Sequence, residues 1–126
     1  MGWYDWGNPP IHSTTAQPVA NPTTGTLVQE LDSTQLGTAN YSAQQTGLFR
    51  VNWICGGDTN ATFQLEQANS TALSASTNVI TVRTPTNQSA QYVAHYVLAK
   101  DDRLRIRLQT SLTANVMAYM QAERLT

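Results

Sequence analysis

A chain of 126 residues holds one hydrophobic core, because folding at this length buries roughly two-thirds of the surface the unfolded chain exposes. Only 12% of the residues are charged, where about a quarter is usual, and the net charge is −1, so no field exists to gather nucleic acid or to hold the chain on an anionic membrane. The single cysteine, Cys55, excludes an internal disulfide, a cysteine-based zinc site and a CxxC redox pair.

Ser, Thr, Asn and Gln make up 46 of the residues. Their short polar side chains compete with helical backbone hydrogen bonds, so strands joined by many turns are the expected outcome. Four of the five prolines, Pro9, Pro10, Pro18 and Pro22, fix φ and bias their predecessors toward extended backbone. Residues 1–25 are therefore expected as an extended arm, neither helix nor sheet, and residues 26–126 as the folded domain. The arm's tip carries Trp3, Tyr4 and Trp6. These rings need burial, either back on the arm's own domain or in a neighbouring subunit, where buried aromatics act as anchors. The first residues lack the basic and apolar stretches of a signal peptide, and no apolar run approaches the ~18 residues of a membrane span, so a soluble, cytoplasmically synthesised protein is expected. Sequons at Asn40, Asn60, Asn69 and Asn87 are the chance yield of such a composition.

Beyond the arm, period-2 alternation predicts strands separated by Gly, Asn, Asp, Ser and Thr clusters. After a strand at 26–31 and a weaker one near 39–45, Leu48 to Cys55 places Phe49, Val51, Trp53 and Cys55 on one face and Arg50 and Asn52 on the other. Gly56, Gly57 and Asp58 read as a tight turn, with Phe63 and Leu65 in the returning arm of a hairpin. Residues 68–77 read as a loop. Val79 to Arg83 is the next strand, followed by Gln91 to Leu98, whose two faces are both fairly apolar, as in a central strand or one at an interface. Arg103 to Gln109 alternates Leu104, Ile106 and Leu108 inward with Arg103, Arg105 and Arg107 outward, and Asn115 to Glu123 closes the chain. About eight strands at this spacing predict an all-β antiparallel sandwich, best fitted by a jelly roll, with an immunoglobulin-like sandwich as the alternative.

Catalytic raw material is thin. His12 falls in the arm and His95 in a strand, Cys55 has the setting of a small buried apolar residue, and no HExxH, GxSxG, P-loop or GxGxxG motif occurs, so no enzyme and no cofactor are expected. Asp58, Asp101 and Asp102 fit turns better than a calcium loop. The candidate residues are instead partner-binding ones. Arg103, Arg105 and Arg107 stand about 7 Å apart on one strand face. That face is either solvated or ion-paired to a partner, with Asp101, Asp102 and Glu123 as possible local counter-charges. His95 and Tyr119, with Val93, Val97, Met117 and Gln121, form a second, moderately apolar surface that predicts a homo-oligomer, a trimer if the fold is a jelly roll.

The segments Thr26 to Thr38, Gly47 to Trp53, Asn87 to Val93 and Lys100 to Leu108 together resemble small structural proteins encoded in the virion-assembly modules of tailed bacteriophages. The resemblance rests on the order of β-segments and polar turns. It implies a virion component, a decoration or cement protein that sits on the capsid surface and binds the major capsid protein or other virion proteins, with the aromatic tip pointing alternatively to the portal or tail. From a different class, a carbohydrate-binding or receptor-binding module fits the same fold, and it requires aromatics on a rigid concave face. The virion reading predicts that deleting residues 1–20 leaves the sandwich folded and abolishes assembly.

Overall fold

Strands with one apolar and one polar face satisfy themselves by packing two sheets over a shared core. The computed structural model of the chain describes residues 11–12, 18–31, 47–68, 77–98 and 102–125. They form nine strands: β1 (Ile11–His12), β2 (Val19–Ala20), β3 (Leu27–Leu31), β4 (Gly47–Gly57), β5 (Ala61–Ala68), β6 (Thr77–Thr84), β7 (Gln88–Leu98), β8 (Arg103–Leu108) and β9 (Asn115–Arg124). Sheet A has the order β1-β9-β4-β7, with β2 also on β9, and sheet B the order β3-β8-β5-β6. All pairs are antiparallel. From β3 onward the chain passes to the other sheet at every connection except β5 to β6, which is the jelly-roll arrangement expected from the spacing. The weaker strand at 39–45 and the interior of the 68–77 loop lie outside the described residues.

The core lies between the sheets and is the one the alternation predicts. Phe49, Val51, Trp53 and Cys55 of β4 and Val116, Ala118, Met120 and Ala122 of β9 meet Phe63 and Leu65 of β5 and Leu104, Ile106 and Leu108 of β8, all buried. Trp53 packs edge-to-face on Tyr96 of β7, ring centroids 6.0 Å apart. Burial pushes the Cys55 thiol up to about 12 and also raises the Tyr96 hydroxyl, which feels the nearby Trp53 indole in the opposite sense. Gln29 of β3 ties the sheets directly, its Nε2 donating to the Ala118 carbonyl over 3.3 Å.

Three expectations need correction. Residues 11–12 and 19–20 of the arm are not free of sheet structure: β1 pairs Ile11 with Ala122, and β2 pairs Val19 with Val116. Extended backbone beside an open strand edge completes the ladder, and Pro10 and Pro18, which lack an N–H, immediately precede the two short strands. Second, β4 and β5 are not a hairpin. Gly56 and Gly57 are strand residues, and β4 is held between β7 and β9 while β5 belongs to the opposite sheet. Gly56 is there because β7 comes close: a Cβ on it would lie 2.6 Å from the Gln88 carbonyl oxygen. Third, of the two readings of β7 the central one fails and the interface one stays open: β7 is the end strand of sheet A among the described strands, and its outward residues are exposed.

Candidate functional site

The outer faces of the two sheets differ in kind. On sheet B the three arginines of β8 point away from the core, as the alternation predicts, but they are largely withdrawn from solvent and pair with carboxylates of the neighbouring strands. Glu30 of β3 receives Arg105 Nε at 2.8 Å and Arg103 Nη1 at 3.3 Å, and Glu66 of β5 receives Arg107 Nη1 at 3.2 Å. Arg107 Nε also donates to the Gly25 carbonyl at 3.1 Å. Arg105 is 0% exposed, and Glu66 is buried too. The ladder is thus closed within the subunit, which accounts for Arg in place of Lys, since the planar fork reaches two acceptors at once.

A β-bulge makes this possible. β3 pairs Leu27 with Arg107 but Gln29 with Ile106, so Val28 is one residue too many on its strand. Without it, period 2 would put Glu30 opposite Leu104 on the core side. With it, Glu30 faces Arg105 and Leu31 drops into the core.

Sheet A presents a different surface. His95 and Tyr119, both anticipated, lie on its outer face, His95 exposed and opposite Arg50, Tyr119 half-buried and opposite Ile54. Arg50 pairs with Glu123 at 2.8 Å across β4 and β9, so Glu123 serves Arg50 and not the β8 ladder. A depression of about 320 Å³ at the middle of the face is lined by Arg50, Asn52, Val93, Gln121 and Glu123. The Asn52 Oδ1 is buried there without a hydrogen-bond partner among the described residues. A second, open groove of about 460 Å³ lies at the Gly56 end, between Ile54, Met117 and Tyr119 on one side and Asp58, Asn87 and Gln88 on the other. Trp3, Tyr4 and Trp6 lie outside the described residues.

Among the described residues no group of three or more His, Cys, Asp or Glu is placed to hold a metal ion, and no helix is long and apolar enough to cross a membrane. Sequence reasoning missed Glu30 and Glu66 as the partners of the arginines. The signal available was their placement in strands of otherwise apolar and amide residues, where an unpaired carboxylate is costly.

No family model matches this sequence, and no curated protein does. Solved structures are similar in fold. A tumour-necrosis-factor protein, Eiger, from S. frugiperda is 13% identical over 93% of this chain and 92% of its own, with a TM-score of 0.60. A CBM22-1 xylan-binding domain from Paenibacillus barcinonensis Xyn10C is 8% identical over 93% of this chain and 86% of its own, TM-score 0.53. A tobacco streak virus coat protein, solved as a dimer, is 12% identical over 95% of this chain and 89% of its own, TM-score 0.51. At such identities the likeness concerns architecture, and with the strand order above it establishes an all-β, jelly-roll sandwich.

Proposed function

We propose that the chain is a non-enzymatic structural protein of a virus particle, of the decoration or cement kind, that binds the major capsid protein or another virion protein. The observation that carries this reading is the placement of the N-terminal arm, which joins the edge of sheet A at Ile11 beside Ala122. Residues 1–10, with Trp3, Tyr4 and Trp6, lead into that edge and are the anchor we assign to the capsid partner. The fold it shares with a coat protein supports the reading. Because β1 and β2 complete the edge of β9, a deletion of residues 1–20 bares that edge, and the informative truncation begins the chain at Ile11.

The test is co-sedimentation with particles of the encoding virus that lack this protein. Saturable binding at a fixed number of copies per particle is expected, weakened at least about tenfold in the chain that starts at Ile11, a change of roughly 1.4 kcal/mol. Absence of the protein from the particle fraction at micromolar concentration overturns the proposal. A second reading, a carbohydrate-binding module, is favoured by one observation, the groove that sets Tyr119 opposite Asp58, Asn87 and Gln88. Calorimetric titration with soluble oligosaccharides tests it: binding that is lost in Tyr119→Ala supports it, and no heat with any glycan removes it.

A further inference from the structure

We infer that the outer face of sheet A is the surface through which copies of this chain associate, so that the protein works as a closed homo-oligomer. This concerns self-assembly and does not rest on the virion reading.

Exposed apolar residues scattered singly over a surface need no explanation, whereas a set gathered on one face does. The four exposed large apolar residues among those described are Val97 (64%), Val93 (49%), Met117 (41%) and Leu125 (39%). All four are on this face. Val93 and Val97 stand outward on β7, and Met117 stands outward on β9 beside Gly56. Leu125 continues the β9 ladder opposite Leu48, its N–H donating to the Leu48 carbonyl at 2.7 Å. The outer face of sheet B contributes none of them.

Three further features select a second copy as the occupant. The face carries its own charge balance, with Arg50 and Glu123 paired at its middle, so two identical faces meet without like-charge repulsion, and the net charge of −1 adds no repulsion between subunits. Its extent comes from three long strands: β4 and β7 of eleven residues and β9 of ten, at about 3.3 Å per residue and about 4.8 Å between strands, give roughly 500 Å², which fits a weaker, concentration-dependent association below the ~800 Å² that each partner contributes to a standard interface. The buried Asn52 Oδ1 in the central depression has no donor among the described residues, and a facing subunit brings donors of the kinds this surface holds, the Gln121 amide and the His95 ring. The polar groups of the central depression fix register between copies, while Val93 at its edge and the apolar residues around it supply the association energy.

The experiment is sedimentation velocity and light scattering on the full chain from about 1 to 100 μM. A mass of twice 13.8 kDa is expected for the wild type, because two identical faces that meet close as a two-fold dimer. Val97→Asp, at a position open enough to keep the fold, puts an unpaired carboxylate into the contact and is expected to raise the dissociation constant at least about a hundredfold. Thr110→Asp, an exposed change of the same charge between β8 and β9, is expected to leave it alone. If Val97→Asp lowers the melting temperature enough to blur the result, the Val93→Thr, Val97→Thr pair keeps the branched strand residues and is expected to weaken association about tenfold. A wild type that stays monomeric at 100 μM overturns the inference, and so does a folded Val97→Asp or paired threonine variant that associates as the wild type does.

Discussion

Replacing Glu30 by Gln tests the claim that the β8 arginines are held inside the subunit. Glu30 is the acceptor for Arg105 Nε at 2.8 Å and for Arg103 Nη1 at 3.3 Å, and Arg105 has no exposed surface. Removing one member of a buried pair leaves the other charge in a medium that solvates it poorly, a loss of about 3–5 kcal/mol. Arg105 engages a further group, and the Glu30 side chain is 22% exposed, so the lower end, about 3 kcal/mol, is the appropriate figure. For 126 residues, at about 2.1 cal/mol/K of unfolding entropy per residue, that lowers the melting temperature by roughly 11 °C. The control is Glu123→Gln, which breaks an ion pair of equal length whose side chains are 50% and 41% exposed. Solvent screening holds its cost below about 1 kcal/mol, under roughly 4 °C. Thermal and urea melts of both variants, compared at several protein concentrations because self-association shifts apparent stability, decide the matter. Equal losses in the two variants would refute the buried-network argument.

Converting the fully buried pair is expected to behave differently: Glu30→Met with Arg105→Met recovers in a urea melt the part of the single-variant loss due to the stranded Arg105, while the part due to Arg103, which also loses Glu30, remains. Gly56→Ala is expected to cost about 1–3 kcal/mol by the same assay, since its Cβ would meet the Gln88 oxygen at 2.6 Å and the Ser89 Cα at 3.0 Å, both backbone atoms that move only with β7. Alkaline pH is expected to weaken the fold. The buried Cys55 thiol, raised from 9.0 to about 12, keeps its proton in the native state while the unfolded chain ionises. Its contribution is therefore full below pH 9 and lost as pH rises toward 12, at up to roughly 1.4 kcal/mol per unit, and urea midpoints in Cys55→Ala should fall less steeply over that range.

Period-2 alternation was enough to place β4, β8 and β9 and the side of each that enters the core, because a strand half-buried on one face must repeat every second residue. It gave no pairing partner. Gly56-Gly57-Asp58 looked like a hairpin turn because glycine pairs commonly are, yet here glycine serves the close approach of β7, and the chain crosses to the other sheet at Asp58. The arm was legible as extended but not as paired, since a two-residue strand such as Ile11–His12 has no periodicity to detect. The bulge at Val28 defeated parity outright. Leu27 and Leu31 have the spacing of one face, and the inserted residue sends Leu31 to the core and Glu30 to the arginines. His95 and Tyr119 were placed correctly on a shared surface, because both follow from strands whose register no bulge disturbs.

The distribution of charge between the two sheets carries the functional argument. A soluble β-sandwich ordinarily keeps its arginines in water and its valines inside. Here Arg103, Arg105 and Arg107 spend their charge on Glu30 and Glu66 within sheet B, while Val93, Val97 and Met117 stand outward on sheet A. In a chain with only seven cationic side chains this leaves few to keep the sheet A face wet. The ion pairs within sheet B commit those charges to their own subunit, so the apolar residues of sheet A stand outward with few charges around them. On the inference drawn above, association through that face takes its energy from burying those residues. Under the two proposals above the labour is divided: the sheet face joins like to like, and the residues ahead of Ile11 are assigned to a different partner.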